Sequence, residues 1–112
     1  MLGKAFDTFG PMGPALVTAE AIPDPHALAL SLTVNGLELQ RTSTGSMIFS
    51  IPFLIAYLSA VMTLEPGDLI STGTPAKTEL AKSIPPFLKP GDTVRVWIEG
   101  LGELENPVVA ER

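Results

Sequence analysis

A chain of 112 residues has room for one domain, and residues 1–112 are expected to form a single one with a modest core. Hydrophobic residues make up 46% of it and charged residues only 17%, so some apolar surface is expected to need a partner. Seven Lys and Arg against twelve Asp and Glu give a net charge of -5 with no basic run, which argues against nucleic acid and anionic membrane, while the lack of cysteine removes disulfides and thiolate metal sites.

The start, Met1-Leu2-Gly3-Lys4, lacks the basic-then-apolar pattern of a secretion signal, and no apolar run approaches membrane-spanning length. A soluble, cytoplasmic protein is the expectation. Glycine and proline are too dense in residues 1–14 for a long helix, so this part reads as extended with bends. Ala15-Leu16-Val17-Thr18 reads as a short strand. Residues 20–26 form a loop in which Asp24 ties a turn between Pro23 and Pro25, and His26 is expected to be exposed and without chemistry.

From Leu28 the pattern has period two. Leu28, Leu30, Leu32 and Val34 alternate with Ala29, Ser31 and Thr33, which places the large side chains on one sheet face. Asn35-Gly36 is a strong hairpin signal, and Leu37-Glu38-Leu39-Gln40 returns. Residues 41–45 read as a polar loop. Ser50 and Pro52 mark a helix start over residues 50–63, with Leu54, Tyr57, Leu58 and Val61 on its apolar face.

Residues 64–75 read Leu-Glu-Pro-Gly-Asp-Leu-Ile-Ser-Thr-Gly-Thr-Pro. Pro66-Gly67 suits a type II turn, after which Leu69 and Ile70 are expected to start a short strand that delivers Ser71, Thr72 and Thr74 at its end. The small Gly73 between two threonines lets a ligand oxygen approach backbone N–H groups. Residues 76–86 read as a loop. Leu88-Lys89-Pro90-Gly91-Asp92 repeats the form of Leu64-Glu65-Pro66-Gly67-Asp68, the same turn used twice to launch a strand. Val94, Val96 and Ile98 then alternate as a strand, with Trp97 expected in the core, and residues 104–109 pair back.

Several of these stretches, in order, resemble the C-terminal half of the fumarylacetoacetate hydrolase family. They are Lys4-Ala5-Phe6-Asp7-Thr8-Phe9-Gly10, Ile22-Pro23-Asp24-Pro25, Val34-Asn35-Gly36, Ser46-Met47-Ile48-Phe49, Ser71-Thr72-Gly73-Thr74-Pro75 and the two Pro-Gly-Asp turns. The resemblance implies a β-rich α+β fold, a mixed β-sandwich or roll with one clear helix. It implies metal-assisted cleavage of carbon–carbon bonds in acylpyruvate-like 2-oxo acids, or the related isomerisation or decarboxylation, with Mg²⁺ or Mn²⁺ polarising the substrate ketone. Carried onto this chain, it makes Lys4 the catalytic cation, Thr74 and then Thr72 the substrate-holding hydroxyls, and Gly73 the neighbouring backbone.

In the family the metal ligands, a Glu-x-Glu pair and a later Asp, precede the lysine stretch, so the resemblance assigns none of them here. Glu103-Leu104-Glu105 has the spacing of a carboxylate pair on one strand face. It falls in a segment that is a hairpin in the family, and a like-charge pair on a solvent face accounts for it better. Asp7 reads as a turn-tying residue. Where family members continue with a glycine-rich rim, this chain has Ala76-Lys77-Thr78-Glu79-Leu80, a stiffer and more charged stretch. Alone the chain is expected to be weakly active or inert and to pair with a second copy or a chain that supplies the metal side. The alternative expectation is a non-catalytic binding or assembly module that keeps the fold.

Overall fold

The computed structural model describes residues 6–83 and 87–110. Four antiparallel strands form one sheet in the order β2-β1-β3-β4, where β1 is Ala29–Val34, β2 Leu37–Ser43, β3 Thr93–Ile98 and β4 Gly102–Pro107. Two helices, α1 (Ile51–Ser59) and α2 (Glu79–Lys82), and two 3₁₀ turns (Ala19–Ala21 and Thr44–Ser46) complete the regular structure of the described residues. None of the described helices is long and apolar enough to cross a membrane.

The alternation in β1 sets the faces of the sheet. Leu30, Leu32 and Val34 stand opposite Ile98, Val96 and Val94, so the apolar residues of the two central strands share one side. Ser31, Thr33, Arg95, Trp97, Glu103 and Glu105 share the other. Trp97 is therefore not a core residue: its position in the alternation turns it to the polar face, where it is 37% exposed. Arg95 reaches both neighbouring carboxylates, with Nε 2.9 Å from Glu105 Oε2 and 3.2 Å from Glu103 Oε1. This ion pairing accounts for the Glu-x-Glu spacing without a metal.

Asn35 and Gly36 adopt φ of 52° and 80°, the doubly left-handed backbone that matches the twist of a two-residue hairpin. The Asn35 side chain also clips this turn to the one before β3: its Nδ2 donates to Asp92 Oδ1 at 2.8 Å and its Oδ1 accepts from the Thr93 N–H at 2.9 Å. The two Pro-Gly-Asp turns share one hydrogen-bond pattern. Asp68 Oδ2 accepts from the Glu65 N–H and Asp92 Oδ2 from the Lys89 N–H, each at 2.8 Å, while the aspartate N–H closes each turn at 3.0 Å.

Only the second of these turns launches a strand. Among the described residues Leu69 and Ile70 meet no neighbour with which to form a ladder, and Leu69 is 70% exposed. The expected strand at residues 15–18 is likewise absent, and Leu16 is 95% exposed. In contrast β2 runs three residues past its expected end, because Arg41, Thr42 and Ser43 keep pairing with Ser31, Leu30 and Ala29. Residues 79–82, expected as loop, form α2, capped by the Thr78 hydroxyl accepting from the Ala81 N–H at 3.1 Å.

Helix α1 starts where Ser50 and Pro52 predict, with Ser50 Oγ accepting from the Phe53 N–H, but ends at Ser59 rather than residue 63. Val61 and Met62 both donate to the Leu58 carbonyl, which tightens the last turn and stops the helix. Its half-buried side is Ile51, Leu54 and Leu58. Tyr57 and Val61 are exposed instead, at 63% and 71%, and Tyr57 stacks on Phe53, which stacks on Phe49.

His26 corrects another expectation. It is half-buried, and its Nε2 accepts the Ile51 N–H at 3.0 Å, so it satisfies a free amide in the first turn of α1. Asp24 holds the loop as expected, accepting from the His26 N–H at 2.8 Å. A Cβ at Gly45 would lie 2.8 Å from the His26 carbonyl oxygen. Gly45→Ala is thus expected to destabilise the chain by about 1–3 kcal/mol in urea unfolding, because backbone rather than a flexible side chain must give way. An unchanged midpoint would show that this packing is looser than described.

Candidate functional site

The stretch from Asp68 to Thr78 has no regular structure and is fastened at its far end to β2. A bulge makes the fastening possible. Leu32 pairs with Gln40 and Thr33 with Glu38, which leaves Leu39 as the extra residue of β2. The Leu39 carbonyl accepts from the Thr78 N–H at 2.9 Å. One turn earlier, Gln40 Nε2 donates to the Pro75 carbonyl at 2.8 Å and to Thr74 Oγ1 at 3.3 Å.

Ahead of these anchors Thr72 and Gly73 are exposed, as is Thr74 itself. Gly73 adopts φ of 112°, and nothing lies within 4 Å of where its Cβ would be, so conformation rather than crowding requires glycine here. Among the described residues, the N–H groups of Ser71, Thr72, Gly73 and Thr74 donate to no partner. The loop therefore offers backbone amides and two hydroxyls together, a set suited to an oxygen anion.

A hollow of about 560 Å³ opens beside it on the apolar sheet face, lined by Leu32, Val34, Leu39, Val94, Gln40 and Lys77 among others. Lys77, which the sequence places in a charged rim, lies on its wall. Gln40 is the residue that sequence reasoning missed, since it reads there only as part of the returning strand.

Lys4 lies outside the described residues. The bend that follows it is described: the Phe9 N–H donates to the Phe6 carbonyl at 3.2 Å, and Thr8 adopts φ of 69°, rare for a β-branched residue. Asp7, expected to tie this bend, accepts no backbone N–H among the described residues. Such strain often marks a functional position.

Carboxylates along the sheet are engaged by cations. Arg41 hydrogen-bonds Glu38 at 2.7 Å and holds its carboxyl below the usual range, and Arg95 is pushed up chiefly by Glu105. Among the described residues, no three of His, Cys, Asp and Glu converge to hold a metal ion. The described part of the site thus fits the binding of an oxyanion and does not fit a metal centre.

The described residues thus build a four-stranded sheet with an apolar hollow on one face and an exposed Thr-Gly-Thr turn tied to the hollow's wall through Gln40. The family model described as fumarylacetoacetate (FAA) hydrolase C-terminal matches residues 1–109, and the chain belongs to that family. It is similar to a mitochondrial oxaloacetate tautomerase of Xenopus laevis, 50% identical over 109 residues, covering 97% of this chain and 34% of the relative. Among solved structures, it resembles the fumarylacetoacetate hydrolase of Exiguobacterium antarcticum with a TM-score of 0.90 and 41% identity, covering 98% of this chain and 39% of that one. It also resembles the maleylpyruvate hydrolase of Sphingobium sp. SYK-6 in complex with manganese(II) and pyruvate, with a TM-score of 0.82 and 43% identity over 94% and 37% of the two chains. The chain spans about a third of the length of the curated relatives it matches, 34% to 36% in two of them.

Proposed function

We propose that residues 1–112 act as one domain, the C-terminal portion of an enzyme of this family, and that the 72–74 loop is the wall that holds the carboxylate end of a 2-oxo acid. The reaction class is cleavage or isomerisation next to the oxo group. The observation that carries this is the group of N–H donors without a partner among the described residues, with exposed threonine hydroxyls, around Gly73 at φ 112°. Thr74, and Thr72 second, would orient the substrate and hold its oxygen in register, a contribution made by positioning. Lys4 is assigned the cationic role from the family motif.

The pyruvate-bound Sphingobium relative supports the substrate class, and its manganese supports a divalent ion, Mg²⁺ or Mn²⁺, in the working enzyme. Since the described residues do not assemble a site for that ion, the part assigned to them is binding alone. The test is a titration of the ¹⁵N-labelled full chain with pyruvate, with and without Mg²⁺, followed by amide shifts. Saturable shifts at Thr72, Gly73 and Thr74 within tens of millimolar pyruvate are expected, and Thr74→Val should weaken them about tenfold, the worth of one hydrogen bond to a charged group. Pyruvate that leaves this loop unmoved would end the proposal.

A further inference from the structure

We infer that Gln40 is a positioning residue that fixes the Thr74 hydroxyl as a donor toward an anionic ligand oxygen. This deepens the reading of the 72–74 loop and rests on it. Gln40 reaches the loop because of the bulge at Leu39, which sets it opposite Leu32, on the apolar side of the sheet. There the amide is half-buried and its orientation is determined by chemistry. The Pro75 carbonyl, 2.8 Å away, only accepts, so the nitrogen end of the amide must face it. The same nitrogen carries a second hydrogen, and Thr74 Oγ1 lies 3.3 Å from it.

A hydroxyl has one proton to give. When Thr74 Oγ1 accepts from Gln40, that proton stays free for a ligand, and carboxylate and enolate oxygens only accept. Were position 40 an acceptor, the Thr74 proton would be drawn to it and the loop would turn lone pairs toward an anion. The Gln40 side chain thereby selects the sign of ligand the loop takes, beyond tying Pro75 in place.

Gln40→Glu and Gln40→Met separate these two roles. Glutamate is nearly isosteric and changes donor to acceptor, whereas methionine removes the donor without supplying an acceptor. In the pyruvate titration of the full chain, Gln40→Glu is expected to weaken binding at least tenfold, and Gln40→Met about threefold. In a Thr74→Val background, Gln40→Glu should add less than it does alone. Amide spectra unchanged away from residues 71–78 show that each variant is folded. If Gln40→Met is as damaging as Gln40→Glu, the amide serves the loop's shape alone and the inference fails. If both Gln40 variants bind as the parent does while Thr74→Val is weakened, the inference fails and the reading of the loop stands. If Thr74→Val itself binds normally, that reading falls and takes the inference with it.

Discussion

Asn35→Ala is expected to lower the unfolding free energy by about 2 kcal/mol. Alanine at φ 52° costs about 1 kcal/mol in backbone strain, and losing the two side-chain hydrogen bonds to Asp92 and the Thr93 N–H adds about 0.5 kcal/mol each. Asn35→Gly isolates the second contribution, because glycine tolerates the turn; about half the loss should remain. Equal losses for the two variants in urea unfolding would show that the side-chain clip, not the turn, carries the effect. The same clip has a pH signature. Asp92 is held below its ordinary value, first by the Lys89 N–H and then by Asn35. Because the folded-state pKa is the lower one, the stability it confers is present above the ordinary aspartate pKa and disappears as pH falls through the depressed one. Acid unfolding of Asn35→Ala should therefore show a shallower slope in that window, though not a flat one, since the Lys89 amide remains.

The purified chain is expected to elute as a dimer or larger in size-exclusion chromatography. It presents 9073 Å² of accessible surface, whereas a compact monomer of 11.8 kDa presents about 5,900 Å². Its radius of gyration is 15.7 Å against about 13 Å for a compact chain of this length. The excess, about 3,000 Å², is larger than one partner's share of even an extensive obligate interface. The apolar contributors are specific: Phe49, just before α1, and Phe53 and Tyr57 on it form an exposed stack at 53%, 49% and 63%, and Phe87 is 80% exposed beside the hollow. Among the described residues the one buried hydrophobic side chain is Ala81, at 4% exposure. Phe53→Lys should raise the dissociation constant for self-association by at least tenfold, the order expected for losing one well-covered aromatic contact. A parent chain that stays monomeric at high concentration would mean that this surface is tolerated in water.

Much of this was legible wherever a short stretch dictates its own conformation. Asn35-Gly36, the two Pro-Gly-Asp turns and the Ser50 cap lie where the sequence places them, since each depends on φ preferences and hydrogen bonds only a few residues away. The strands that failed, at residues 15–18 and 69–70, have apolar residues but no pairing partner among the described residues, and a ladder is a property of two segments. Gln40 shows the other limit. Plain alternation from Leu37 puts it on the side of Glu38, and only the extra residue at Leu39 inverts that, a choice made by pairing with β1. His26 was hidden for a similar reason, because its partner Ile51 is 25 residues away. The Thr74 loop itself was legible from its own turn residues, with its role supplied by the family motif, and its tether to β2 was not.

The outermost strand, β4, ends in Pro107 and carries Glu103 and Glu105. Proline offers no N–H to an incoming strand, and a second β4 laid alongside would bring four carboxylates together. At the opposite border of the sheet, the Leu39 oxygen is already taken by Thr78. Copies that gather through their greasy surfaces are thereby discouraged from zipping into fibrils, so a crowded solution of this polypeptide should yield discrete assemblies in preference to amyloid.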